Sequence, residues 1–293
     1  MPQASPREPL DGVSADTERK RSAEVVRAAL AEVVNGHDYA AADGYFTGDF
    51  TDHHPNSKGD LTGFTKHLAT LTSLFPDLRM EIDHLIAQND RVMVFGTWTG
   101  HQAGTRRPLR FTRADLFQVR DGRIAEHWDV VDYAPLTEFG YEPPSQRQPG
   151  TPPDRRASPA EVRNIELVLH VWDKLMVEHR LDIADEHYLQ DYIQHNALAA
   201  QSGAGLEGMK EFFAGLFAAA PDFSSTITHI LAQDDLVAIF ADWSGHETTT
   251  GMDLDLCTAD ILRIEDGRIA EHWDVFDYAA VAKFGIAPPA EPA

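Results

Sequence analysis

The sequence predicts an α+β protein built from one unit written twice. Two observations carry this reading. First, the ten residues DGRIAEHWDV occur at Asp121–Val130 and return unchanged at Asp266–Val275. The same offset (266 − 121 = 145) lays FPDLRMEIDHLIAQNDRVMVFGTWTGH (Phe75–His101) over APDFSSTITHILAQDDLVAIFADWSGH (Ala220–His246), and ADLFQV (Ala114–Val119) over ADILRI (Ala259–Ile264). Second, within each copy the apolar residues recur first at helical spacing and then with a period of two. Helices followed by an antiparallel meander define the α+β class. Each copy is long enough to bury its own core.

Taken in order, residues 1–16 read as a disordered leader, because MPQASPREPLDGVSADTERKR has no apolar core and is no secretory signal. Lobe one spans 17–140. It opens with Val25, Val26, Ala29, Leu30, Val33 and Val34 at helical spacing. Short helices are expected at Tyr39–Phe46 and, in lobe two, at Ile183–Tyr188. Longer ones are expected at Leu61–Phe75 and Leu206–Ala219. Then Leu78, Met80 and Ile82 alternate with polar neighbours, and RVMVFGTWTG is β-rich. Asp121-Gly122 joins the last two strands in a two-residue hairpin, and Asp266-Gly267 repeats it. YEPPSQRQPGTPPDRRASP, rich in Pro and polar residues, makes 141–158 an extended linker. Lobe two spans 159–287 and opens with Ser158 as N-cap and Pro159 in the first helical position. Its helix carries Val162, Ile165, Leu169, Trp172 and Met176. Residues 288–293 form a tail. Upstream the offset slips to 142, which sets DFTDHH (Asp49–His54) over DYIQHN (Asp191–Asn196).

Composition narrows the function. Of 293 residues 43% are apolar and 25% charged, as in a soluble globular protein. No apolar run approaches the roughly 20 residues that span a bilayer. A net charge of −22 repels nucleic acid and anionic membrane, so neither is an expected partner. Cys257 is the only cysteine, which rules out an intrachain disulfide and a cysteine-rich metal site. The expected location is cytoplasmic. No Gly-rich phosphate loop, no GxSxG elbow and no HExxH pair is present, so covalent and nucleotide-dependent chemistry is disfavoured and no cofactor or metal is expected.

The segments DYIQHN, APDF, ADILRIEDGRIAEHWDVFDY and the closing FG of lobe two resemble the SnoaL-like polyketide cyclase branch of the nuclear transport factor 2-like superfamily. Lobe one matches with DFTDHH, FPDL, ADLFQVRDGRIAEHWDVVDY and EFG. The resemblance covers nearly all of both lobes and implies two tandem cone-shaped, curved antiparallel sheets. Each would be packed with its N-terminal helices around a deep pocket. Because such domains often pair through their sheets, it also implies that the lobes form an intramolecular pseudo-dimer, compatible with a monomeric chain.

Side chains alternate across a strand. With a two-residue turn at Asp121-Gly122, one face carries Asp115, Phe117, Val119, Ile124, Glu126, Trp128, Val130 and Asp132. The other carries Ala114, Leu116, Gln118, Ala125, His127, Asp129 and Val131. The first face is the more apolar and is taken as the pocket wall. By resemblance the catalytic acid/base aspartate falls on Asp132 and Asp277. Asp129 and Asp274 replace them if a bulge inverts the parity. The alternative for Asp132 and Asp277 is to cap the turn that follows. Asp115 and Asp260 are either second pocket carboxylates or ion-pair partners of an arginine such as Arg113 or Arg263. His53 and His195 are expected in the pocket on resemblance. His127 and His272 are either proton-transfer groups or structural. Trp98, Trp128, Trp243 and Trp273 are core or interface material, or an aromatic wall for substrate. Lobe one alone carries GTRRPLRFTR (Gly104–Arg113), either a solvated loop or an attractor for an anionic ligand. At the pocket entry it has His53-His54-Pro55 and Arg113 where lobe two has His195-Asn196-Ala197 and Thr258, and with more titratable groups at the mouth and those arginines it is the expected principal site.

The expected function is cofactor-independent acid/base catalysis on a small or medium hydrophobic carbonyl compound, most concretely an intramolecular aldol-type cyclisation. The alternatives are an isomerase, dehydratase or epoxide hydrolase on the same scaffold, marked by an Asp–Arg–Asp or Asp–Tyr grouping, and a non-catalytic small-molecule binding protein.

Overall fold

A computed structural model of the chain describes residues 14–55, 57–144, 150, 156–196 and 205–283. The leader, most of the linker and the tail lie outside the described residues, apart from the first turn of α1.

Lobe one begins with α1 (Ala15–Ala29), capped by the Ser14 side chain and prolonged by a π turn over Leu30–Asn35. The short α2 (Ala42–Tyr45) leads into β1 (Phe46–Asp52). Then come α3 (Leu61–Leu74), β2 (Arg79–Gln88), β3 (Arg91–His101), β4 (Pro108–Arg120), β5 (Arg123–Val131) and α4 (Ala134–Thr137). Lobe two repeats this with α5 (Pro159–Trp172), a π turn over Asp173–Val177, α6 (Ile183–His187) and β6 (Tyr188–Gln194). It continues through α7 (Gly205–Ala219), β7 (Ser224–Gln233), β8 (Leu236–His246), β9 (Asp253–Glu265), β10 (Arg268–Phe276) and α8 (Tyr278–Lys283). Ser158 and Glu161 form a reciprocal capping box at the start of α5.

Each sheet has five strands, ordered β1-β5-β4-β3-β2 and β6-β10-β9-β8-β7. Four strands form the expected antiparallel meander, with Asp121-Gly122 and Asp266-Gly267 both at positive φ in the tight turns. The fifth strand was not foreseen. The DFTDHH and DYIQHN stretches make β1 and β6, which run parallel to β5 and β10, so each sheet is mixed rather than purely antiparallel. Its shortness and its polar outer positions hide a period-two pattern in the sequence.

Bulges curve the sheets. Between β4 and β5 Val119 faces Ile124 while Gln118 faces Glu126, leaving Ala125 extra; β1 shifts register at the same level. Ala270 is the equivalent in lobe two. A second bulge places Asp83 and Thr228 in β2 and β7.

Three apolar clusters result. One lies between sheet and helices in each lobe. The third joins the lobes, with Met93, Phe95, Leu116, Trp128 and Val130 against Leu231, Phe240, Ala259, Ile261 and Val275. The Gln88 side chain accepts from the Ala232 backbone N–H, and Gln233 accepts from Ala87, so the contact is reciprocal about a local twofold axis. Both faces of each sheet are therefore buried. That explains why β3 reads as a nearly unbroken apolar run. Among the described residues no helix is long and apolar enough to cross a membrane.

Candidate functional site

The bulge at Ala125 decides which side chains look inward. Beyond it Phe117 faces His127, and Asp115 faces Asp129. His127 and Asp129 therefore join Asp115 and Phe117 inside the lobe, while Glu126, Trp128 and Val130 turn to the other lobe. This corrects the parity read from the sequence: the bulge inverts it, so Asp129 and Asp274 rather than Asp132 and Asp277 face inward. Trp128 packs on His53 and on His229 of lobe two, and Trp273 on His195 and on His84 of lobe one, so neither tryptophan lines a pocket. His53 and His195 stand at the same junction, paired with Glu126 and Glu271 rather than facing the interior. Trp98 and Trp243 are buried inside their own lobes.

Asp132 and Asp277 also leave the pocket. Asp132 accepts from the Ala134 N–H at 3.0 Å and from the Tyr278 N–H of lobe two at 3.3 Å. Asp277 caps Ala279 and Ala280. Burial, with a further push from Asp277, raises Asp132 to about 7. The two carboxyls cap their turns where the lobes meet.

In lobe one the interior is a connected ionic network. The fully buried Arg113 donates to Asp115 at 2.7 Å and pairs with Asp129 at 3.1 Å, its guanidinium over the Trp98 ring. His127 Nδ1 donates to Asp52 at 2.8 Å and Nε2 to Asp115 at 2.9 Å. With both nitrogens donating to carboxylates the ring is an imidazolium. Burial opposes that charge, yet Asp115 and Asp52 raise His127 to about 9. His54 Nδ1 reaches Asp129 at 3.1 Å. Burial opposes the Asp129 charge too, but His54 and Arg113 hold it well below the usual carboxylate range. The arginine of GTRRPLRFTR that is buried is thus already neutralised by two aspartates. It is not held ready for an anion.

Lobe two keeps the frame and changes the charges. Thr258 stands at the place of Arg113, Leu262 at that of Phe117, Gln194 at that of Asp52 and Asn196 at that of His54. Lobe two holds a partly enclosed cavity of about 40 Å³. Trp172, Tyr188, Tyr192, Phe212, Phe213 and Trp243 wall it, and Asp260, His272 and Asp274 form its polar end. This cavity lies in lobe two, whereas the principal site was expected in lobe one. Arg263, the other arginine considered for Asp260, instead holds Glu265 and Glu271.

The polar end is organised by β6. The Gln194 carbonyl oxygen accepts from the Asn196 N–H at 2.8 Å, which turns its NH2 toward Tyr192 Oη and His272 Nδ1, at 3.0 and 2.9 Å. Only an unprotonated Nδ1 accepts there, so Nε2 carries the proton and donates to Asp260 at 2.9 Å. Burial opposes a charge on His272, but Asp260 and, more weakly, Asp274 raise it above the ordinary imidazole value. Thr258 Oγ1 donates to the other oxygen of Asp260 at 2.8 Å. Asn196 Nδ2 donates to Asp274 at 2.7 Å. Burial raises the Asp274 carboxyl to about 6, with Asp260 adding to the push. Asp260, His272 and Asp274 offer ligand-capable atoms within 4.8 Å of one another, the set a metal ion would use.

Sequence reasoning placed His54 and Asn196 at the pocket mouth but missed Asp52 and Gln194, two residues before them. Their i, i+2 spacing is the signal, since on a strand it puts both on one face and the intervening His53 or His195 on the other.

The chain resembles known proteins at two levels. Solved structures align with it over about one lobe's length. AclR from Streptomyces galilaeus shares 22% identity, covering 43% of this chain and 99% of its own, with a TM-score of 0.39. TsrD from Streptomyces laurentii shares 23% over 41% and 94%, with a TM-score of 0.38. A SnoaL-like polyketide cyclase from Agrobacterium tumefaciens shares 16% over 41% and 98%, with a TM-score of 0.35. No curated protein matches. The sequence model of SnoaL-like polyketide cyclases matches residues 24–138 and again 166–283, so most of both lobes is accounted for. The chain therefore belongs to the SnoaL-like polyketide cyclase family and carries that domain twice.

Proposed function

We propose that lobe two is a cofactor-independent acid/base catalyst that cyclises a hydrophobic carbonyl compound by an intramolecular aldol-type step. One observation carries the reading. Asp274 is a buried carboxyl raised to about 6, fixed by Asn196 at the end of an aromatic cavity. A group whose pKa lies near the working pH takes and returns protons with equal ease.

In this reading the Asp274 carboxylate removes a proton from the carbon next to the substrate carbonyl. The enolate carbon attacks a second carbonyl of the same molecule, and the resulting alkoxide recovers the proton from Asp274, so the step balances without a co-reactant. Trp243, whose buried indole N–H has no partner among the described residues, and the Tyr192 hydroxyl, which burial keeps protonated, are the donors for the developing oxyanion. His272 and Gln194 hold Asp260 and the Tyr192 hydroxyl in place.

The test needs no knowledge of the natural substrate. Nuclear magnetic resonance in D2O follows exchange of the α-protons of 4-phenyl-2-butanone. Wild-type protein is expected to accelerate exchange, and Asp274→Asn to lose about 10²-fold of that rate. Equal rates with and without protein would reject the reading.

A second reading has an observation of its own. The buried Asp115–Arg113–Asp129 grouping in lobe one is the Asp–Arg–Asp pattern expected of hydrolytic chemistry on this scaffold. Hydrolysis of styrene oxide, lost in Asp129→Asn and retained in Asp274→Asn, would favour it.

A further inference from the structure

The two lobes solve one electrostatic problem differently. Lobe one places a guanidinium between two facing aspartates and over an indole ring. Lobe two keeps both aspartates, as Asp260 and Asp274, and the indole, as Trp243, but puts Thr258 where the arginine stood. Thr258 Oγ1 serves one oxygen of Asp260 and supplies no charge. The second carboxylate beside the histidine is missing as well: Gln194, in place of Asp52, donates to His272 where Asp52 accepts from His127. Two buried carboxyls thus face a cavity that contains no guanidinium or ammonium among the described residues. Asn196 donates to one oxygen of Asp274, and among the described residues no group donates to the other.

We infer that the lobe-two cavity takes a hydrophobic ligand carrying a protonated nitrogen group, seated between Asp260 and Asp274 where lobe one seats the side chain of its own Arg113. The inference rests on the cavity being the ligand site and adds the substrate class to the function proposed above. Lobe one supplies the precedent within the same molecule, since its frame holds a guanidinium at that place without strain. A buried carboxylate is stabilised chiefly by an opposite charge within hydrogen-bond reach. The aromatic wall suits the apolar body, and the Trp243 ring is placed for a cation over its face, as Trp98 is for Arg113. The Trp243 N–H, which has no partner among the described residues, also asks for an acceptor, which a substrate carbonyl provides.

A divalent metal is the competing cation. Both ring nitrogens of His272 are engaged, one by Gln194 and one by Asp260, so the metal would have to break that arrangement to gain its third ligand. An organic cation needs no such change.

Calorimetric titration of the full chain with benzylguanidinium and with its uncharged isostere benzylurea separates the possibilities. The expected result is binding of one benzylguanidinium per chain at pH 7.5, about tenfold or more tighter than benzylurea. That preference disappears in Asp274→Asn. It is also expected to disappear in Thr258→Arg, where the protein supplies its own guanidinium; this variant copies an arrangement lobe one already folds around. Equal affinity for the two probes overturns the cation inference and leaves the acid/base reading standing. Binding of neither probe overturns the inference. So does stoichiometric Zn²⁺ binding that displaces benzylguanidinium and is lost in Asp274→Asn.

Discussion

His127 and His272 share a strand position and differ in their hydrogen bonds because of one residue on a neighbouring strand: Asp52 accepts from His127, whereas Gln194 donates to His272. The consequence for His127 is a pH dependence of stability. Its pKa rises from 6.5 in the unfolded chain to about 9 in the folded one, so the folded state binds the extra proton between those values. The stabilisation is complete below pH 6.5 and is lost as pH climbs through about 9. Thermal melts of the wild type are expected to show the melting temperature falling across this alkaline range. In Asp52→Asn, which removes one of the two carboxylates that raise His127, the fall should be shallower. An unchanged slope in that variant would refute the assignment. Asp132 behaves oppositely to an ordinary salt-bridged carboxylate. Its folded pKa is raised to about 7, so its ionisation costs stability as pH rises from 3.8 to 7. Asp132→Asn keeps the acceptor oxygen for Ala134 and Tyr278 and removes that penalty. It should be more stable than wild type at pH 8, lose that advantage near pH 4, and leave α-proton exchange unaffected. Loss of exchange with the fold intact would return Asp132 to the active site.

Two elements place the lobe-two site. β6 ends on Gln194 with Asn196 two residues beyond it, and β10, past the Ala270 bulge, carries His272 and Asp274. The helices α5 and α7 cover them and supply Trp172, Phe212 and Phe213. α5 depends on its capping box, in which Ser158 accepts from Glu161 N–H and Glu161 accepts from Ser158 N–H. Ser158→Ala should lower stability by about 1 kcal/mol, measured by urea unfolding, and Ser158→Thr should restore most of it. No loss in the alanine variant would mean that packing alone sets the helix start. β6 was invisible in the sequence because a seven-residue strand with exposed polar positions resembles a loop. The hairpins were plain because Asp-Gly at positive φ is a local requirement.

At the scale of the whole molecule, the duplicated sheets bury their outer faces against each other, with Gln88 and Gln233 exchanging backbone hydrogen bonds. We propose that this contact holds the lobes together without the linker and that the chain is monomeric. A protease site introduced at 145–149 and cleaved should leave both halves eluting together at the size of the 32.5 kDa chain. Separation of the halves under native conditions would contradict it. Burial of both sheet faces also explains the misplaced wall. The more apolar strand face was taken for the pocket, yet in this molecule Trp128 and Val130 belong to the lobe contact while His127 and Asp129 look inward. By itself the sequence determined the duplication, the α+β order of helices before strands, the hairpin turns and the family, because each is a local or self-comparing pattern. Only the tertiary structure decided which strand face meets the pocket, that the aromatic cavity ending on Asp260, His272 and Asp274 lies in lobe two, and which neighbours each buried histidine meets. One bulged residue reverses the parity of all that follows it. The charge of a buried ring is set by neighbours from strands far apart in the chain.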